Sequence, residues 1–473
     1  MTGATDVSGL EELWARDLSA LDYERVPSST LSSIKLLILD SLATAFAASS
    51  LGDGREQLVG FARSQAPSND CTLLGLGKRG SVVTAAFVNG ALVHALNYDA
   101  LGGDGGHVGL AAVPLPLALG ERHRSSGTDL LVAVCAGAEF TCRLAASLHR
   151  AGVKHGNRFL EGQVLGYFGA SAAAARLLRL GPQAMHDALG FALMQASGTR
   201  QVSIEGGAAK ALYGGFPNLG AAIGIAMAEQ GAEARCSFLE GEAGLYSLFF
   251  GGRFDRSVLA HGVAGEFLAE RLAFKPWPIS SVVQPFVEAA LSLRRQMRVG
   301  PDVIERIRLR VPPSARPWIE PFAERCRPTT VATASNSIPF CLAKALATGR
   351  LSLEDFGPGA SGLADPVVAG IAGSIEYSVL ESADEISKNG DLVVELRGGA
   401  VLTADVSGDC AVPSVDDLIR KFRDCARYAL KPLTSTAMDA VVEHVLTLER
   451  LSDVRALTDL LRGHVRAAGD VRL

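Results

Sequence analysis

A glycine-rich polar segment follows an apolar stretch in the first quarter of the chain. His94-Ala95-Leu96-Asn97-Tyr98-Asp99 is followed by residues 101–107, which contain four glycines and end at His107. Glycine lets a backbone approach a ligand closely, and loops between rigid elements commonly carry catalytic groups. Histidine titrates near neutral pH, so His107 is a candidate general acid or base. The alternative is a solvated loop in which Asn97 and Asp99 only cap helix ends, and both interpretations stay open.

An isolated lysine is the second candidate. Lys210 is the only lysine or arginine between Arg200 and Arg235, and its neighbours are small and apolar. Such a lysine either extends along the protein surface to reach water or places a positive charge in a pocket. From the residues alone, the surface position is favoured.

A stiff connector is the third candidate. Phe274-Lys275-Pro276-Trp277-Pro278 precedes Ser280 and Gln284, at the point where the periodicity of the chain changes. Proline fixes the backbone around each of its positions. Clefts between domains are common ligand sites, so polar side chains of this connector are candidates to face one.

One motif resembles a nucleotide-binding loop and is interpreted otherwise. Gly75-Leu76-Gly77-Lys78-Arg79-Gly80 has the spacing GxGxxG. A dinucleotide site also needs a second strand and an acidic residue about 20 residues further on. A helical pattern follows here instead, so the sequence predicts a tight loop that leads into a helix.

Composition excludes several classes of protein. Hydrophobic residues make up 48% of the 473 residues and charged residues 20%, which indicates a folded protein with a large core. A net charge of −5 argues against nucleic acid or an anionic membrane as the main partner. Prolines interrupt the apolar run at 108–120, so no span of a bilayer is expected. The N-terminus lacks the features of a secretory signal, and the eight scattered cysteines show no metal-binding spacing. We therefore expect a cytoplasmic protein with reduced thiols.

The period of the apolar residues changes along the chain. Before residue 273 it is mostly helical, apart from a short strand-like piece at 71–75, and the predicted helices are 81–96, 128–149, 165–178, 182–196, 217–230 and 263–272. Alternation predicts strands at 303–311, 374–379, 391–397 and 401–406, with Gly398-Gly399 as a hairpin turn and helices at 335–349 and 365–372. Helical patterns return at 413. The expected fold is mainly α, with a large all-helical domain built from both chain ends, 1–272 and 413–473, and a smaller inserted α+β lid domain, 273–412.

Together these features resemble the MmgE/PrpD family, whose members include 2-methylcitrate dehydratase, cis-aconitate decarboxylase and iminodisuccinate epimerase. The resemblance runs from about residue 28 to 462. Its most specific part is residues 85–99, which are close to the family pattern AAxxNGAxxHALDxDD. Further matches are the alanine-rich run after Phe168, Lys210 with Gly215 and Gly220, Leu239-Glu240-Gly241, and Lys275-Pro276-Trp277-Pro278.

The resemblance implies a helical domain with a smaller α+β lid, a homodimer, and an active site in the cleft between them without a metal or organic cofactor. It implies catalytic roles for His107, Lys210, Tyr213 and Asn97. It implies that the residues binding a small carboxylate substrate are Tyr98, Asp99, Lys275, Ser280 and Gln284.

Several family positions differ in this chain. The family's first acidic residue is Asn97 here, and family histidines are replaced at about Leu160, at Tyr213, at Ser280 and at Gln284. His155 lies close to Leu160 and could shift the alignment there. The chain therefore lacks much of the acid and base equipment that the resemblance implies for tricarboxylate chemistry.

The family reactions share one difficult step, the formation of a carbanion or enolate next to a carboxylate. Preorganised cations in a desolvated cleft must meet its charge, and Lys210 and Lys275 are the candidates, with His107 moving the proton. Three functions stay open: a dehydratase or decarboxylase of a small di- or tricarboxylate, which is favoured; an isomerase or epimerase with Tyr98 or Tyr213 opposite His107; and an altered homologue that only binds a carboxylate. We expect His107, Lys210 and Asn97 to converge on one cleft facing the α+β domain.

Overall fold

The computed structural model describes residues 9–153, 158–205, 207–263, 265–297, 299–357, 361–380, 389–407 and 413–463. Structural statements below concern these residues. His155 and Cys410 lie outside them. The seven described cysteines carry free thiols, and six of the seven are buried.

Helices make up most of the described chain before residue 273. They are α1 (Leu10–Ser19), α2 (Ser28–Leu51), α3 (Arg55–Ser64), α4 (Val82–His94), α5 (Val108–Ala112), α6 (Pro114–His123), α7 (Gly127–Arg150), α8 (Glu161–Leu177), α9 (Pro182–Gln195), α10 (Gln201–Ile204), α11 (Gly215–Glu229) and α12 (Leu245–Phe250).

Short strands also occur in this part of the chain, so it is mainly helical, and the expectation of an all-helical unit was too strict. β1 (Cys71–Leu73) and β2 (Lys78–Gly80) form an antiparallel hairpin that leads directly into α4. A three-stranded sheet has the order β4-β3-β5 and consists of β3 (Leu101–Gly102), β4 (Gly105–His107) and β5 (Leu272–Ala273). The hairpin excludes a βαβ unit at the GxGxxG sequence, as predicted.

One predicted helix was wrong. Residues 263–272 contain the 3₁₀ turn Leu268–Glu270 and then enter β5. The apolar residues of this segment reach the core without a helix. Phe267 and Leu272 are both buried, although the backbone around them is not helical. Apolar spacing over ten residues therefore misled the assignment.

The second part of the chain combines a sheet with helices. β6 (Ile304–Val311), β7 (Ile375–Val379), β8 (Gly390–Leu396) and β9 (Val401–Val406) form a sheet of order β7-β6-β8-β9, in which β6 runs parallel to β7 and antiparallel to β8. Its helices are α13 (Gln284–Gln296), α14 (Phe322–Cys326), α15 (Val331–Ala334), α16 (Ile338–Thr348) and α17 (Pro366–Gly373). The chain ends with α18 (Val415–Arg427), α19 (Ser435–Leu446) and α20 (Arg455–Leu460).

Local signals explain where several elements begin and turn. The Ser126 hydroxyl accepts from the backbone N–H of Asp129 at the start of α7, and Ser414 forms a capping box with Asp417 at the start of α18. Gly398 and Gly399 have φ of 103° and 88° in the hairpin between β8 and β9. The turn predicted at Gly398-Gly399 is confirmed.

Two hydrophobic clusters organise the interior. The first joins the helices before residue 275 to the last three helices, for example where the Phe46 ring in α2 packs edge-on against Phe422 in α18 at 6.4 Å. The second extends from Ile279 to Val406 and covers one face of the β6 sheet. Leu353 is the exception, because it belongs to the first cluster. The domain limits 1–272, 413–473 and 273–412 themselves stay predictions.

Three helical stretches are long and apolar enough to cross a membrane by length and composition: α2, α7 and residues 209–229. The expectation that no segment reaches that length was therefore wrong. Most of each apolar window is buried inside the fold, 94% in α7 and 78% in α2. Their apolar faces serve helix packing here, and the absence of a membrane partner stays a prediction.

Candidate active site

The end of α4 places the first residues of the site. This helix is apolar and buried along nearly its whole length, so the surrounding core fixes its position. It ends at His94, and Asn97 then takes a left-handed φ of 52°, which asparagine tolerates better than most residues. The chain continues through β3 and β4, and His107 lies at the junction of β4 and α5.

Asp99 lies between two imidazoles. The Nδ1–H groups of His94 and His107 donate to separate carboxylate oxygens of Asp99, each at 2.9 Å. Burial alone would raise the pKa of Asp99, but the attraction of His107 and His94 and their hydrogen bonds outweigh it, so that this pKa lies well below its usual range. Because both Nδ1 atoms are engaged, proton exchange with a ligand falls to the Nε2 atoms.

The two imidazoles differ in environment. Burial lowers the pKa of His94 to about 3, so this ring is neutral at neutral pH. The side chain of His107 is 21% exposed, and its ring centroid lies 4.7 Å from that of His94. His107 is therefore the member of the pair with access to solvent.

Tyr213 and Gly162 enclose the imidazole pair. The Tyr213 ring packs edge-on against His94, with 3.8 Å between centroids, and burial raises the pKa of its phenol well above the usual value. This hydroxyl therefore stays protonated and can donate a hydrogen bond. A Cβ added at Gly162, in the first turn of α8, would lie 2.7 Å from Cδ2 of His107 and 2.8 Å from Oη of Tyr213. Only glycine fits there without displacing them.

Two lysines supply positive charge. Lys275 is buried, and its Nζ donates to the backbone oxygen of Asn97 at 2.7 Å and to its Oδ1 at 3.0 Å. Burial lowers the pKa of Lys275 to about 8, and burial also lowers the pKa of half-buried Lys210 to about 8. Asp99 opposes the shift in both cases.

A cavity lies where these groups meet the second part of the chain. It holds about 400 Å³ of space not occupied by atoms, part of it open to solvent, and its lining includes His94, Asn97 and Lys210 from the first part and Pro278, Val331, Ser335 and Phe356 from the second. His107 does not line the cavity, but its ring packs against that of His94, which does. The structure thus brings Asn97 and Lys210 to one cleft, and His107 lies behind His94.

Comparison with protein families identifies both parts of the chain. Residues 14–257 match the model of the MmgE/PrpD N-terminal domain, and residues 277–447 match that of the MmgE/PrpD C-terminal domain. The chain belongs to the MmgE/PrpD family.

Two similar curated proteins are named cis-aconitate decarboxylase. The chain is 25% identical over 477 residues to the cis-aconitate decarboxylase of Aspergillus terreus, which covers 96% of this chain and 95% of the relative. It is 25% identical over 492 residues to the cis-aconitate decarboxylase of Homo sapiens, with 97% and 95% covered. The similarity therefore extends over nearly the whole length of both proteins.

Other residues expected at this MmgE/PrpD site have different surroundings. The Tyr98 hydroxyl donates to the backbone oxygen of Pro276 at 2.9 Å. Gln284 is buried and its Nε2 donates to the backbone oxygens of Trp277 and Ile279, while its Oε1 has no hydrogen-bond partner among the described residues. The backbone N–H of Ser280 donates to the oxygen of Ser335. None of the three side chains lines the cavity, and their roles in substrate binding stay predictions.

Sequence reasoning missed four residues that the structure places at or beneath the site. His94 was only part of a quoted motif, although its spacing of five from Asp99 was visible. Gly162 lies two residues after Leu160 and carried no signal of its own. Asp40 and Lys421 come from distant helices, and no local pattern marked them.

One nitrogen of His94, one nitrogen of His107 and one carboxylate oxygen of Asp99 lie within 4.8 Å of one another, a spacing that a metal ion could also bridge. Both imidazoles already donate directly to Asp99, and this pattern satisfies the carboxylate without an ion. The expectation that the site works without a metal stays a prediction.

Proposed function

We propose that the chain is a cofactor-independent lyase that removes CO₂ or water from a small di- or tricarboxylate. The observation that carries the proposal is a group of two lysines, two imidazoles bridged by one carboxylate, and a protonated phenol. Lys210 and His94 of this group line the cavity. Full-length similarity to cis-aconitate decarboxylases supports the same class and favours decarboxylation.

The lysines hold and stabilise negative charge in this mechanism. Lys210 and Lys275 bind carboxylates of the substrate. When the bond to the leaving carboxylate breaks, CO₂ departs and the electron pair delocalises onto a neighbouring carboxylate. A desolvated ammonium interacts strongly with that developing charge, because the surroundings have a low dielectric constant.

His107 supplies the proton that ends the reaction. Its Nδ1–H is fixed by Asp99, which leaves Nε2 as the atom that delivers a proton to the carbanion. Neutral His94 and protonated Tyr213 lie next to it as hydrogen-bond donors or acceptors. In a dehydration, the Tyr213 phenol is the candidate to protonate the leaving hydroxide.

An isomerase or epimerase of a dicarboxylate is the second candidate. It needs one base and one acid on opposite faces of a carbon, and His107 and Tyr213 are the two candidates, with 5.8 Å between their ring centroids. The replaced family histidines at about Leu160 and at Gln284 also suit a reaction with fewer proton transfers. A homologue that binds a carboxylate without turnover is the third outcome.

Proton NMR in D₂O separates these functions. The protein is incubated with cis-aconitate, 2-methylcitrate, citramalate and aspartate derivatives. The lyase predicts new vinyl or decarboxylated signals that disappear in Lys210→Ala but persist in Lys78→Ala, a substitution of an exposed lysine. Loss of an α-proton signal without a new product would favour the epimerase, and silence across the panel would contradict both.

Three further expectations accompany the proposal. We propose that the second part of the chain acts as a lid, since it supplies one wall of the cavity.

We propose a homodimer, and the exposed apolar side chains Phe216, Ile223 and Met227 on one side of α11 offer a surface for it. Light scattering of wild type and Ile223→Glu tests that surface. A cytoplasmic location remains part of the proposal.

A further inference from the structure

A buried ammonium from the end of the chain lies beneath the site. Nζ of Lys421, in α18, is 2.6 Å from Oδ1 of Asp40 in α2. It donates to the backbone oxygens of Tyr98 and Lys275, at 3.0 Å each, and lies 3.5 Å from the centroid of the Tyr98 ring. Both Lys421 and Asp40 are buried.

These contacts join the two segments that carry the site. Tyr98 lies between Asn97 and Asp99, while Lys275 begins the connector between the two parts of the chain. The same segments are linked twice more, by the Tyr98 hydroxyl on the oxygen of Pro276 and by Nζ of Lys275 on Asn97. Lys421 therefore donates to one backbone oxygen in each of the two segments and joins them.

Stability alone does not account for this arrangement. Removing two charges from water costs several kcal/mol per ion, and buried ion pairs are often no more stabilising than apolar side chains of similar volume. A methionine could fill the space of Lys421 but could not donate to two carbonyl oxygens. The directional contacts are what the lysine adds.

We propose that Lys421, held by Asp40, is a positioning residue for the active site. It fixes residues 97–99 against the connector at Lys275, and through Asp99 it fixes the orientation of His107. Its role in catalysis rests on the lyase or epimerase function proposed above, whereas the ordering of the two segments does not.

The charges around Lys275 make the proposal testable by the pKa of this lysine, which a loss of packing alone would not shift in a predictable direction. The groups that face Lys275 are Asp99, Lys210, Lys421 and Asp40. Lys421 lowers the pKa of Lys275, and Asp40 raises it. Removing one member of the ion pair must therefore shift this titration in the opposite direction from removing the other.

The test uses three variants of the full chain. Lys421→Met and Asp40→Asn remove each partner. Lys344→Met is the matched control, because Lys344 is equally buried and pairs with Asp355 at 3.1 Å in the second part of the chain. Each variant is examined by kcat and KM against pH, and by hydrogen exchange of the intact protein followed by mass spectrometry.

The proposal predicts a fall in kcat of about 10- to 100-fold for Lys421→Met with a smaller change in KM, because misplacement of catalytic groups affects the chemical step most. The alkaline limb of the pH profile moves up in Lys421→Met and down in Asp40→Asn, and stays in place in Lys344→Met. The backbone amides of residues 97–99, 275, 277 and 279 exchange faster in Lys421→Met than in the control.

Other outcomes overturn it. If exchange at 97–99 is unchanged in Lys421→Met, or if both partner substitutions move the alkaline limb the same way, Lys421 does not position the site. If wild type turns over no carboxylate, the proposed function fails, and the exchange comparison alone still decides whether Lys421 orders the two segments.

Discussion

Substitution of Gly162 by alanine tests whether the arrangement of His107 and Tyr213 matters for activity. The added Cβ would lie 2.7 Å from the His107 ring and 2.8 Å from the Tyr213 oxygen, whereas ordinary contacts begin at 3.4 Å. Both distances must therefore lengthen, by about 0.7 Å and about 0.6 Å respectively. Displacement of this size at reacting groups lowers rates by up to about 100-fold.

The Gly162→Ala variant should remain folded while its turnover falls. Overpacking costs about 1–3 kcal/mol, and replacing glycine by alanine in a helix returns about 1 kcal/mol, so the free energy of unfolding should fall by no more than about 2 kcal/mol. We expect kcat to fall about 10- to 100-fold with little change in KM. The measurements are steady-state kinetics, on the carboxylate that the NMR panel identifies, and thermal unfolding.

Gly60→Ala is the matched control. Gly60 also lies within a helix, but no atom comes within 4 Å of a Cβ added there. This variant should gain up to about 1 kcal/mol in stability and keep its kcat. If Gly162→Ala remains folded and keeps kcat within roughly twofold of wild type, the argument that close packing of His107 and Tyr213 supports catalysis is refuted.

Three further predictions concern charge and metal. Because Lys210 and Lys275 have pKa values near 8 and must be protonated to hold carboxylates, kcat/KM should decline as pH rises through about 8, and a flat profile to about pH 10 would contradict their role. Asp99→Asn should lower kcat about 100-fold or more while circular dichroism stays unchanged, since the fixed proton donor loses its counter-charge; retained activity would remove Asp99 from the mechanism. Dialysis against EDTA should leave activity unchanged, and loss restored by a divalent ion would instead favour a metal at His94, Asp99 and His107.

Much of the secondary structure could be predicted because its signals are local. The alternation in β6 follows directly from the sheet, where Ile307, Leu309 and Val311 are buried. The arginines between them lie on the exposed face and pair with acidic residues of β8. The failure at 263–272 shows the limit of this reasoning. A run of apolar residues predicts that a segment is buried, but not whether its backbone is helical, extended or irregular.

The site was less accessible to the sequence. The residue types at His107 and Lys210 allowed both a functional and a structural interpretation, and only the family resemblance favoured the first. Lys421 carried no local sign of a role, because its partners are 323 and 146 residues away. Contacts over such distances are products of the whole fold and have no signature in a short window.

The link between Lys421 and Tyr98 also has a consequence for synthesis of the protein. Ribosomes add about 5–20 residues per second, so the 323 residues between the two take about 16–65 seconds to appear. During that interval the nascent chain already contains both imidazoles and Asp99, but the ammonium that anchors them has not been made. The proposed role of Lys421 therefore predicts that ordering of residues 97–99 is a late event, completed only after α18 has been synthesised and has docked.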